Sequence, residues 1–281
     1  MHRTTIRKGE DLALWPTPWL GAVCLTLLLA GCGGEEPEVA EPAPPAPVEW
    51  GYGTDNGPAV WASLKPGYSL CGSGTEQSPI DLGGATPADL PDLHFEYRDV
   101  PLEVFADGRS AGATFPRNSF IEVNGTIFDL EEMHFHLPGE HRVDGRSFPA
   151  EMHFVHRNGY GDLAVIGVLL AEGAELEALE PLVEHLPSAK SRTSTPIADD
   201  RLDLPGLLPE ERLDFRYAGS LTTPPCTEKV RWYVLQVPVE ASSTQLATLR
   251  ELVQGNNSRP PRDLHGRTVA KDLTVTAPET E

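Results

Sequence analysis

The chain is 281 residues long and carries 42 acidic against 22 basic side chains, a formal net charge of −20. Such a surface argues against nucleic acid and other polyanions as partners, because binding them needs clustered Lys and Arg to neutralise phosphates.

The first segment reads as an export signal. Arg3, Arg7 and Lys8 give a basic start, residues 15–30 are mostly apolar, and the run closes on Leu29-Ala30-Gly31-Cys32. The apolar stretch is short for a helix spanning a bilayer, which needs about 20 residues. Its Leu-Ala-Gly-Cys ending resembles the lipobox of bacterial lipoproteins. That resemblance implies a signal peptide over residues 1–31, cleavage before Cys32, and a membrane anchor through lipid on Cys32. Gly33 is unlike the aspartate that retains such proteins in the inner membrane. The expectation is an exported protein, lipid-anchored at the cell envelope on the outer membrane, facing the periplasm or the surface. Residues 33–48, GGEEPEVAEPAPPAPV, are acidic and proline-rich with no apolar period. They cannot bury a core and are expected to form an extended tether, so the folded domain spans 49–281. About 230 residues remain from residue 49 onward, enough for one domain with a sizeable core.

Within that domain, strand patterns outnumber helical ones. Residues 120–123, 126–130, 164–170 and 230–237 read as strands bounded by Gly, Pro and Asn, the last two buried on both faces. Helical spacing appears at 174–185 and 243–253, where Ser242 or Ser243 can cap the start. Twenty-seven prolines and 26 glycines imply many turns. Of the four cysteines, Cys24 leaves with the signal and Cys32 takes lipid. Cys71 and Cys226 remain, and two cysteines in an oxidising compartment make a disulfide the default.

Five of the nine histidines fall within residues 134–156, as His134-Phe135-His136, His141 and His153-Phe154-Val155-His156. On a strand, side chains at i and i+2 share a face about 6–7 Å apart, so His134 and His136 can converge on one ion. The intervening Pro-Gly and Asp-Gly signals allow the chain to reverse and bring His153 alongside as a third nitrogen. Three protein ligands leave one tetrahedral position open, the catalytic arrangement, whereas structural zinc sites close with four. His156 lies three residues from His153 and so points to the opposite face, which suits a hydrogen-bonded core histidine better than a ligand.

Eight segments together resemble the alpha-class carbonic anhydrases, in particular their bacterial branch. They are Trp50-Gly-Tyr, Asn56-Gly-Pro, Gln77-Ser-Pro-Ile, His134-Phe-His, Gly139-Glu-His, Ala150-Glu-Met-His-Phe-Val-His, Gly219-Ser-Leu-Thr-Thr-Pro-Pro and Asn257-Ser-Arg-Pro. Each is weak alone; in this order they run across nearly the whole domain. The resemblance implies a single β-dominated α+β domain with a central twisted, mostly antiparallel sheet of about ten strands and short peripheral helices. It also implies a Zn2+ enzyme that converts carbon dioxide reversibly to bicarbonate and a proton, by attack of zinc-bound hydroxide.

The residue roles follow by match to the motifs. His134, His136 and His153 match the zinc ligands, and zinc lowers the pKa of its water to about 7, a value already known for this enzyme class. Thr222 matches the residue that accepts the hydroxide's hydrogen bond and donates its own to Glu140, a carboxylate that can only accept. Thr223 matches a bicarbonate-holding residue, and Val155, Val165, Leu221, Val230 and Trp232 the apolar wall where carbon dioxide rests. Glu151 matches the acid that orients His153, His141 a buried framework histidine, and Cys71–Cys226 the disulfide of exported members.

Two departures stand out. The glutamine that supports the first histidine is here Glu132, whose carboxylate would make His134 a stronger donor and zinc a weaker Lewis acid. The histidine that carries the proton out, within Asn-Gly-His, aligns by order and spacing with Arg109 in Ala106-Asp107-Gly108-Arg109, and arginine does not release a proton at neutral pH. A relative that had lost catalysis would be expected to lack a ligand histidine or Thr222; all are present. The absence of His-Glu-x-x-His argues against a metallopeptidase. Oligomeric state, a homodimer included, is left open by the sequence, as is cobalt or iron in place of zinc.

Overall fold

The structure is a computed structural model that describes residues 49–186 and 191–273; the expected signal peptide, Cys32 and the tether lie outside the described residues. The strands in chain order are β1 (Thr86–Ala88), β2 (Leu93–Glu96), β3 (Val100–Ala106), β4 (Ala111–Thr114), β5 (Phe120–Val123), β6 (Thr126–His136) and β7 (Ala150–Arg157). They continue with β8 (Leu163–Glu172), β9 (Ser191–Leu202), β10 (Asp214–Ser220), β11 (Glu228–Leu235), β12 (Val239–Ala241) and β13 (Ala270–Asp272). The helices are α1 (Trp61–Leu64), α2 (Leu70–Ser73), α3 (Glu180–His185) and α4 (Ser243–Leu252).

The thirteen strands among the described residues belong to one sheet, whose main path runs β1-β13-β10-β11-β8-β7-β6-β4-β3-β9, with β2, β5 and β12 paired to its side. The pairings are antiparallel except β1 with β13 and β8 with β11 and β12. This is the β-dominated single domain expected, with ten strands on the main path. The strand expected at 126–130 continues through His136, so the first two candidate ligands lie on it.

The centre of the sheet is buried on both faces, and period-2 alternation sorts its side chains into two cores. Met133, Phe135, Met152, Phe154, Ile166 and Val168 pack on one face. Val155, Val165, Leu169, Val230, Trp232 and Val234 pack on the other. His134, His136 and His153 alternate with members of the first cluster, so they face the second. A third, smaller cluster gathers Trp61, Cys71 and Cys226, with Trp50 and Tyr52 against it.

The helix expected at 174–185 is shorter than its pattern. A 3-10 turn over Glu177–Leu179 leads into α3, whose Pro181 stands in the first turn, where its missing N–H costs nothing. At α4 the cap is Ser242: its hydroxyl accepts from Gln245 N at 3.2 Å while Gln245 Oε1 accepts from Ser242 N at 3.1 Å.

Candidate metal centre

Antiparallel pairing of β6 and β7 sets His134 directly opposite His153 and His136 opposite Glu151. The i, i+2 spacing brings the His134 and His136 ring centres to 5.0 Å, and His153 lies 5.4 and 4.6 Å from them. One nitrogen from each ring falls within 4.8 Å of the others. Partners on the far side of each ring decide which nitrogen is left over. His134 Nδ1 lies 3.2 Å from Glu132 Oε1. His136 Nδ1 donates to the Asn257 carbonyl at 2.8 Å, and its Nε2 is buried with no hydrogen-bond partner. His153 uses Nε2 toward Glu151 Oε1 at 2.9 Å. The remaining nitrogens are thus Nε2, Nε2 and Nδ1, each turned away from its supporting group.

That donor set fits a tetrahedral zinc with one open position. Burial pushes the pKa of His136 well below the ordinary value, with His153 and His134 adding to the effect, and burial lowers His153 to about 4. Both are therefore neutral imidazoles at physiological pH, the form that donates a lone pair.

Glu151 sits at the centre of a second layer. Its Oε2 accepts from the backbone N–H of Glu140 and of His141, each at 2.8 Å, and its Oε1 meets His141 Nδ1 at 2.6 Å. Burial alone would raise this carboxyl, but His141 and His153 outweigh it and hold Glu151 well below the usual range. His141, fully buried, continues to the Tyr217 hydroxyl at 2.6 Å. His156 is fully buried on the opposite face, where Nε2 meets the Tyr97 hydroxyl at 2.7 Å.

Glu140 Oε1 accepts from the Arg259 backbone N–H at 2.8 Å. Burial raises its pKa well above the carboxylate range, while the Arg259 N–H and the Thr222 hydroxyl pull it back. Glu140 Oε2 is buried with no hydrogen-bond partner, and the Thr222 hydroxyl favours the ionised form of this carboxyl. Thr222 lies in a tight loop closed by Leu221 N to Thr227 O at 2.9 Å and Cys226 N to Thr223 O at 2.9 Å. The Cys71–Cys226 disulfide, with a sequence separation of 155, ties this loop to α2.

A cleft of about 270 Å³ opens over His134 and His153. Val155, Val165, Leu221 and Trp232 form its apolar wall, beside Thr222 and Thr223. Val230 is 1% exposed within the same apolar cluster and is not among the residues that face the cleft. It shares Trp232's face of β11, where the sheet core encloses it. Sequence reasoning missed Glu131, Arg157 and Leu163, which do line the cleft. The register of β6 against β7 slips between Leu130 and Glu132, so Glu131 is the extra residue of a bulge. The bulge lets both Glu131 and Glu132 reach the cleft, where strict alternation would separate them. Arg157 Nε meets Glu131 Oε1 and Oε2 at 2.9 and 3.0 Å. Arg109 is not part of the lining; its side chain turns to Trp50.

The fold and site define a sheet-borne, three-histidine centre at the base of a half-apolar cleft. Residues 56–273 match the family model of the eukaryotic-type carbonic anhydrases. The carbonic anhydrase of Nostoc sp. is 36% identical over 84% of this chain and 90% of its own length. The solved alpha-carbonic anhydrase of Thermovibrio ammonificans, a complex with the inhibitor sulfanilamide, superposes with a TM-score of 0.76 at 38% identity, covering 79% of this chain and 99% of that one. A hyperthermostable carbonic anhydrase from a hydrothermal vent chimney gives a TM-score of 0.77 at 36% identity, over 80% of this chain and all of that one. The chain belongs to the alpha carbonic anhydrase family, whose activity is the reversible hydration of carbon dioxide.

Proposed function

We propose that this chain hydrates carbon dioxide with one zinc ion held by His134 Nε2, His136 Nε2 and His153 Nδ1. The observation that carries this reading is the convergence of three imidazole nitrogens whose opposite nitrogens are already engaged. Zinc bound there supplies a Lewis acid that makes hydroxide available at neutral pH.

The chain's own residues do the rest. The apolar wall of Val155, Val165, Leu221 and Trp232 admits a small molecule without net charge or dipole and offers no partner to the anionic product. Thr222 and Glu140 orient the attacking oxygen: an ionised Glu140 can only accept, so Thr222 donates to it and presents its own lone pairs to the reactants. A divalent cation beside the buried Glu140 favours that ionised form. Thr223 holds bicarbonate. Glu132 and Glu151 set the orientation and basicity of His134 and His153.

In this reading Arg109 transfers no proton, and turnover leans on external buffer. Raising the buffer concentration at fixed pH is expected to raise the maximal rate and leave the second-order rate constant for carbon dioxide nearly unchanged; a maximal rate independent of buffer would count against this reading. The lipobox-like Leu29-Ala30-Gly31-Cys32 supports action at the cell envelope on a lipid anchor. The activity itself is tested by stopped-flow hydration with the full chain, before and after a zinc chelator and after zinc is restored. Metal-dependent, zinc-restored hydration is expected, and hydration insensitive to metal removal would sink the proposal.

A further inference from the structure

The strap formed by residues 49–52 is held in a way the reaction itself does not require. Arg109 Nη1 donates to the Trp50 carbonyl at 2.9 Å, and its guanidinium lies 4.6 Å from the centre of the Trp50 ring. Glu49 Oε2 and Asp107 Oδ2 stand 4.0 and 3.5 Å from the guanidinium. The turn beneath is rigid in its own right, since Asp107 Oδ1 accepts the N–H groups of Arg109 and Ser110 at 2.9 and 2.8 Å. One planar cation thus uses stacking, a hydrogen bond and the Glu49 carboxylate on a single short segment, with Asp107 of its own turn beside it, a combination lysine cannot reproduce.

From Trp50 the contacts lead inward without a gap. Its ring packs edge-on against Trp61 at 5.8 Å, and the Trp61 indole N–H bonds the Gly51 carbonyl at 2.8 Å. The Arg259 guanidinium lies 5.8 Å from the Trp61 ring and donates to the Ser78 and Cys71 carbonyls, each at 2.7 Å. The backbone N–H of Arg259 carries Glu140 Oε1, which is 3.3 Å from His136 Nδ1. On the other side, the side-chain amide of Asn257 donates to the Arg109 carbonyl at 3.0 Å, and the Asn257 carbonyl accepts from His136.

We propose that Arg109 is a positioning residue that clamps the 49–52 strap to the 107–110 turn and so stiffens the aromatic and arginine layer behind Glu140 and His136. The position that could have carried a proton-transferring histidine instead fastens the segment where the folded domain begins. The bracing half of this proposal rests on the reading of the three histidines as a metal site; the clamp itself does not.

The test compares wild type, Arg109→Gln, Arg109→Lys, Trp50→Leu and the Arg109→Gln/Trp50→Leu pair in the full chain. Hydrogen exchange is read at the Gly51 amide and Trp61 indole, and zinc release is followed with a chelator. Losing a charged hydrogen bond and a cation–π contact is expected to speed exchange at both sites about tenfold in Arg109→Gln. Zinc release is expected to quicken about threefold or more, within the range that outer partners of metal ligands control. Arg109→Lys should recover part of each effect, and the double variant should fall short of the sum of the two single variants, because they share the ring contact while the hydrogen bond to the residue 50 carbonyl survives Trp50→Leu. If Arg109→Gln fails to fold, Arg109→Lys carries the comparison. Unchanged exchange, or additive effects in the double variant, would overturn the clamp; faster exchange with unchanged zinc release would overturn the bracing. A wild type that binds no zinc would refute the metal reading and leave the exchange data to judge the clamp.

Discussion

The two sides of the candidate metal centre are built by different means. His134, His136 and His153 ride on adjacent strands, where register and period 2 place them: His134 faces His153 across the β6–β7 ladder, and Gly112 of β4 lies on the other flank of His134. At Gly112 there is no room for a side chain, because a Cβ would lie 1.9 Å from the Met133 carbonyl oxygen. Glu140, Thr222, Asn257 and Arg259 come instead from irregular backbone outside the strands. Their positions depend on ties between distant parts of the chain: the Cys71–Cys226 disulfide, the buried Arg259 guanidinium, and the Asn257 amide bonded to Phe135 O at 2.7 Å and Leu137 N at 2.8 Å. The ligand side is therefore set by local repetition, whereas the side that orients the reaction is set by long-range fastening. Damage to the fastened side should cost rate or stability while the ligands still converge.

The largest effect expected of that kind is at Thr222. Thr222→Ala should lower kcat/KM for carbon dioxide about 10²-fold, the scale of a positioned group lost from a transition state. Zinc content should stay that of wild type, and a parallel loss of zinc would erase the distinction between the two sides. Removing the disulfide by Cys71→Ser with Cys226→Ser should lower unfolding free energy by about 2–5 kcal/mol, given the long loop it closes. Chemical denaturation reads the loss, and rate should fall more than metal content in the surviving folded fraction.

A smaller effect concerns the core behind the strands. Burial lowers His156 to about 3 from an ordinary value near 6.5. Between these values the unfolded chain binds a proton that the folded chain does not, so stability falls as pH drops from 6.5 toward 3 and this contribution levels off below. The slope is at most about 1.4 kcal/mol per pH unit from this one group. His156→Gln should flatten the acid limb of a stability–pH curve, with metal content unchanged at neutral pH; an unaltered limb would assign acid sensitivity to other groups.

The same division governs how much could be read from the sequence. The convergence of His134, His136 and His153 was legible because i, i+2 spacing and a turn signal are local facts. The inward direction of Thr222 and Glu140 was legible only through family resemblance, since nothing local distinguishes them from a strand-end threonine and a turn glutamate. Val230 shares the apolar cluster of Trp232 but is enclosed by the sheet core, a depth that a motif match does not report. Glu131 and Arg157 were missed because a bulge breaks alternation, and the adjacent Glu131-Glu132 pair is the one visible trace of it. The strap contact of Arg109 joins residues 59 positions apart and leaves no local pattern.

The proposed centre, three imidazoles around one metal ion, is the reading on which every other role depends. Titrating the metal-stripped full chain with zinc, with metal content and carbon dioxide hydration read in parallel, tests this most directly. One tightly bound zinc per chain is predicted, with activity rising in proportion and both lost in His153→Ala. Retention of zinc by His153→Ala, or full activity in the stripped chain, would contradict it.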